Sequence, residues 1–123
     1  MTGHELANEI LRQAARVRTR MRSLVCNMTR WRLLALAAKN APAGKTADEA
    51  KAFMGNWATL HAEVLRMDEL VKAWAAADDG TDHKLDLVSE TVDDVKERMG
   101  SVTREADEMR KSITAAMGGR SNV

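Results

Sequence analysis

Apolar residues recur along this chain at alternating steps of three and four in three consecutive stretches. The first runs Ala7, Ile10, Ala14, Val17, Met21, Leu24, Met28, Trp31, Ala35, Ala38, and the second Ala50, Phe53, Trp57, Leu60, Val64, Met67, Val71, Trp74. The third runs Leu85, Val88, Val92, Val95, Met99, Val102, Ala106, Met109, Ile113, Ala116. Such steps keep apolar side chains on one stripe of a helix, and a stripe of that kind has to be covered by a partner helix.

Start and stop signals divide the stretches. Thr2 with Glu5, and Thr46 with Glu49, have the spacing of capping boxes, in which the hydroxyl accepts from a free N–H of the first turn and the carboxylate reaches back. Asn40 and Pro42 stop the first helix, Asp78-Asp79-Gly80 breaks the chain again, Thr81 or Asp82 caps a third helix, and Gly118-Gly119 ends it. The pattern predicts helices over about 3–39, 47–77 and 82–117 in one bundle spanning 1–119, with a flexible tail at 120–123. Helices of this size are roughly 46 to 54 Å long at 1.5 Å per residue, and short links make sequential neighbours antiparallel. The expected fold is all-α: an elongated up-down-up antiparallel three-helix bundle or coiled coil.

Folding back at residue 43 and near residue 80 sets expected layers, with Trp31 near Phe53, Trp57 and the small Ala106, and Trp74 near Ile10 and the small Ala14. The first helix also carries Leu6, Leu11, Val25 and Leu34 beside its stripe. Its apolar face is therefore wider than a two-stranded coil needs, and calls for at least two neighbours.

Composition agrees with this picture. Among the 123 residues, 45% are hydrophobic and 30% charged, with a single Pro, no Tyr and one Phe, a balance poor in strand formers and suited to a soluble helical fold. The longest uncharged apolar run, Leu33 to Ala38, is far shorter than the roughly 20 residues of a membrane span. A lone cysteine, Cys26, has no internal disulfide partner, and no cleavable signal precedes it, so an intracellular, reducing compartment is expected. That compartment is the cytoplasm or, because the first forty residues are Arg-rich and acid-poor like a transit peptide, the mitochondrial matrix. The unbroken heptads, with Glu5 and Glu9 among them, favour a folded helix there.

Charge divides along the chain. Residues 1–45 carry nine basic and two acidic side chains, and residues 46–123 carry ten and sixteen, although the net charge is only +1. Either the first helix is neutralised by the others inside the fold, which is the first expectation, or its arginines meet an anionic partner. Arg18, Arg20 and Arg32 flank the seam and are expected to pair with acids of the second helix such as Glu63 and Asp68. Arg12, Arg16, Arg22 and Arg30 project further out and are the candidate residues for binding an anionic partner.

Few other positions suggest chemistry. His4, His61 and His83 sit in three different places, none with a second histidine at i, i+3 or i, i+4 as a helical metal site would show, so no metal or other cofactor is expected. Folding back brings Cys26 level with His61, but Cys26 lies two positions from the seam residues on both sides, Leu24 and Met28, and should face outward. No phosphate loop, nucleophile elbow or dinucleotide fingerprint occurs, and the acids of the third helix read as a solvated face, so enzymatic activity and a small-molecule substrate are not expected. Gly55 and Gly100 sit inside helices but off the stripe, either as tolerated weak spots or as positions where a foreign backbone approaches closely.

These readings converge on a non-enzymatic helical scaffold, adaptor or structural subunit of a larger assembly, whose partners are other protein subunits or further copies of itself. The alternative is a small binder of nucleic acid or of an anionic membrane surface through the basic face of the first helix.

Overall fold

The structure is a computed structural model that describes residues 2–37, 45–77 and 85–118, with side chains over 2–36, 47–77 and 86–115. Three helices make up these residues: α1 (Gly3–Ala37), α2 (Lys45–Ala76) and α3 (Leu85–Gly118). The fold is an all-α three-helix bundle. The expected ends at 38–39 and 82–84, the caps Thr81 and Asp82 and the tail at 120–123 lie outside the described residues. Thr2 caps α1 as expected, its hydroxyl accepting the Glu5 N–H at 3.1 Å while its carbonyl accepts the Leu6 N–H at 2.9 Å. The carboxylate of Glu49 turns instead to α1, meeting Asn27 and Arg30.

Cross-helix pairs set the directions. Gln13 meets Glu63, Arg20 meets Asn56 and Asn27 meets Glu49, so each seven-residue step up α1 is a seven-residue step down α2, and the two helices are antiparallel. Arg18 bonds Asp94, and further along both helices Cys26 and Val102 line one groove together with Arg18 and Arg98, so α1 and α3 are parallel. At 35 residues α1 is about 52 Å long.

Helix α1 is central. It packs most extensively on α2 and less on α3, while α2 and α3 scarcely touch. The stripe of α1 is buried from Ala7 through Trp31, joined by the flanking Leu6. On α2 the buried side chains are Ala50, Phe53, Leu60, Met67 and Leu70, whereas Trp57, Val64, Val71 and Trp74 are only partly covered. The wide spacing of α2 from α3 leaves that second edge of the α2 stripe without a close neighbour. Contacts between α2 and α3 lie at the rim: Lys96 pairs with Asp68 at 3.4 Å, and the Arg110 guanidinium stands 5.7 Å from the Trp57 ring centroid. On α3, Val88, Val92 and Val95 are buried, as are Ala106, Met109 and Ile113, but Met99 and Val102 between them are half-buried. This helix buries its stripe fully toward both ends and only partly in the middle, where Met99 and Val102 still pack against the core.

The register differs from a fold-back at residue 43. Asn27 bonds both Glu49 and Asn56, whereas the expected register makes residue 59 its neighbour, a displacement of roughly two turns along α2. Trp31 therefore comes level with 45–52, a stretch containing the small, buried Ala50, and Trp74 with 2–9, which contains buried Gly3 and Ala7. Large still opposes small: the α1–α3 offset of Arg18 from Asp94 keeps the buried Ala106 level with residue 30, beside Trp31 as expected, while Trp74 comes level with Gly3 and Ala7 instead of Ala14.

Candidate functional site

The candidate arginines divide by what they touch. Arg12 is taken up within α1 by Glu9, and Arg16 donates to the Gln13 side-chain amide oxygen Oε1 at 3.4 Å. Arg30 lies 4.0 Å from Glu49 and keeps about two-thirds of its side chain exposed, a geometry that contributes little. Arg22 has neither ion pair nor hydrogen-bond partner among the described residues, and the same holds for Arg32. At 100° per residue, Arg12, Arg16 and Arg30 share one side of α1, and Arg22 points about 80° or more away, toward α3.

The seam-flanking arginines do not pair as expected. Arg18 crosses to Asp94 on α3 at 3.1 Å, with Arg98 sharing that carboxylate at 3.3 Å. Arg20 bonds the Asn56 amide oxygen at 3.0 Å, Glu63 receives Gln13, Asp68 receives Lys96, and Arg32 is exposed. Among the described residues, only Arg18 and Arg30 of the seven α1 arginines form an ion pair with another helix. Internal neutralisation is therefore slight, and α1 keeps most of its positive charge.

A polar ladder, which the apolar pattern did not disclose, runs between α1 and α2. Gln13 and Asn27 are 4% and 6% exposed. The Gln13 amide donates to the Glu63 carbonyl at 2.8 Å and to its carboxylate at 3.1 Å. Asn27 donates to Glu49 at 3.1 Å and accepts from Asn56, which itself accepts from Arg20. The signal was present: Gln13, Arg20 and Asn27 are seven apart and each precedes a stripe residue, as Glu49, Asn56 and Glu63 do on α2. These are the seam-flanking positions that select partner and register in coiled coils.

A groove opens on the other flank of α1, between it and α3. Its volume is about 600 Å³; Met21, Val25 and Val102 give it an apolar floor, and Arg18, Arg22 and Arg98 rim it together with Cys26 and Ser101. Cys26 is exposed, as expected. His61 packs edge-on against Trp57, with centroids 4.4 Å apart, on α2, so the thiol and the imidazole stand on different faces. Among the described residues no three His, Cys, Asp or Glu side chains gather as a metal-binding group, and no helix is long and apolar enough to cross a membrane.

Gly55 and Gly100 are exposed, and a Cβ built at either meets nothing within 4 Å. No contact inside the molecule requires glycine there. Gly55→Ala and Gly100→Ala are each expected to raise the unfolding free energy by about 0.5 to 1 kcal/mol, read as a higher urea midpoint. Lower stability in either variant would contradict the open surroundings seen here.

No protein-family model, no curated protein and no solved structure matches the chain.

Proposed function

We propose that this protein is a non-enzymatic helical scaffold or adaptor, a subunit of a larger protein assembly that meets its partners through helical faces and its Arg-rich first helix. The observation that carries this reading is the charge that the fold leaves outside: most α1 arginines find no acid on another helix, and Arg22 and Arg32 find no partner at all among the described residues. Fixed cationic side chains beside exposed apolar ones suit recognition of an acidic protein surface, with charge steering the encounter and apolar burial holding the complex. A single cysteine, which offers no internal disulfide, supports a reducing, intracellular compartment as part of the same proposal.

The alternative, a binder of nucleic acid or anionic lipid, draws on the same arginines. Against it stands the scarcity of stacking surface among the described residues: Trp31 is buried, Trp57 on α2 is occupied by Phe53, His61 and Arg110, and Trp74 is half-buried on α2, away from the α1 arginines in sequence. Salt separates the readings. Binding to heparin, single-stranded DNA or anionic vesicles is expected to be weak and lost by about 150 mM salt. A stoichiometric protein complex, isolated from the native source and sized by light scattering, is expected to persist there. Tight polyanion binding abolished by replacing Arg12, Arg16, Arg22 and Arg30 with Ala, without any protein complex, would move the assignment to the alternative.

A further inference from the structure

Besides its buried stripe, α1 carries a second one. Arg22, Val25, Thr29, Leu33 and Leu36 follow each other at steps of three and four, and Val25, Leu33 and Leu36 are 40%, 63% and 85% exposed. The stripe begins in the groove between α1 and α3 and continues toward the end of α1, about 16 Å from Val25 to Leu36. None of the three helices covers it.

We propose that this groove seats a fourth helix, supplied by a partner protein: an amphipathic helix whose apolar stripe is flanked by acidic side chains. The proposal rests on the scaffold reading above and names its site and partner. The apolar part of the match comes from Met21, Val25 and Val102, which lie along two parallel helices and offer the spacing into which helical knobs fit. The charged part comes from the rim. Arg22 on α1 and Arg98 on α3 stand on opposite sides of the groove, and Arg32 follows further along α1; Arg18 and Arg98 share the single carboxylate of Asp94, which leaves that cluster one positive charge in excess. An occupant with carboxylates on both flanks supplies what the rim lacks.

Two other occupants fit less well. An acyl chain would stay wet along one side, because the groove is open along its length, whereas small-ligand sites bury most of their ligand. A second copy of this chain would have to present its acidic helix, yet among the described residues α3 exposes only Leu87 as a large apolar side chain, so its acids flank no apolar stripe.

Cys26 lies in the groove wall and is the sole cysteine, so it reports on occupancy directly. The test titrates the Cys26-labelled protein with two synthetic helical peptides of four heptads that share one leucine stripe and differ only in flanks of Glu or of Lys. The Glu peptide is expected to shift the label's emission to the blue and to slow alkylation of the unlabelled thiol about tenfold, and the Lys peptide to do neither. Arg22→Glu with Arg98→Glu, both exposed positions whose variants should keep the helical circular dichroism of the parent, is expected to invert the preference.

Equal binding of both peptides, binding of neither, or a preference indifferent to the charge reversal would overturn the proposal. Protection of Cys26 by dimerisation of the protein alone, or by anionic vesicles instead of the Glu peptide, would overturn it in favour of those occupants. A native protein complex that survives the double reversal while the Glu peptide fails to bind would sink the groove assignment and leave the scaffold reading standing. Absence of any native protein complex would sink the scaffold reading itself.

Discussion

Phe53→Ala is expected to lower the unfolding free energy by about 3 to 5 kcal/mol, the range found when a large buried aromatic is truncated and its cavity only partly collapses. Phe53 is fully buried in the core that joins the three helices, and its ring stacks with Trp57 at a centroid separation of 6.4 Å. The neighbouring layers come from helices held at fixed register, so they cannot move in by the width of a ring. Against a total of about 5 to 15 kcal/mol for a domain of ordinary stability, the loss is a large share. Urea unfolding followed by circular dichroism would show a lower midpoint with little change in slope. A loss below about 1 kcal/mol would mean that Phe53 is not at the core where the bundle places it.

The second large effect is expected at the polar ladder. Asn27→Leu removes the acceptor of the Asn56 N–H and one donor to Glu49, and should cost about 1 to 3 kcal/mol, because a buried group left without its partner bears its full desolvation penalty. Adding Asn56→Leu removes the orphaned amide and should restore part of that loss, so the two substitutions couple by about 0.5 to 3 kcal/mol in a double-mutant cycle. The double variant is also expected to hold its α1–α2 register less strictly, since an apolar pair at these positions accepts a slip of one heptad that the hydrogen-bonded pairs refuse. Disulfide trapping between cysteines placed in and out of the native register, in a Cys26→Ser background, measures this. Additive losses and an unchanged trapping pattern would show that the hydrogen-bonded pairs do not set the α1–α2 register.

The helices were legible because their signals are local. The Thr2 cap acts on a backbone N–H three residues away, and the stripe from Ala7 to Trp31 follows from the rotation of the helix alone. The α1 side of the candidate surface was legible for the same reason: Arg22 falls outside the seam, and the structure leaves it without a partner among the described residues. The partners of Arg18 and Arg20 were not, because they depend on which helix lies on which flank of α1 and at what height. Periodicity is the same for every register that differs by whole heptads, so the wrong height for Asn27 satisfied the stripes as well as the right one. Gln13 and Asn27 escaped a reading that followed apolar residues alone, although their seven-residue spacing lay in the chain.

What the sequence determined by itself is therefore the number, kind and approximate ends of the helices, the face that α1 buries, and the concentration of positive charge on that helix. Tertiary structure decided the rest: α1 as the central helix, the half-open α2 edge of Trp57, Val64, Val71 and Trp74, the α1–α2 register, and the groove between α1 and α3 at Val25 and Val102. The physical reason is one of range. Helix formation and amphipathicity are set by residues within a turn or two of each other. The spacing between helices is set by the sum of side-chain volumes and polar pairs along the whole bundle, which no single segment of the chain contains.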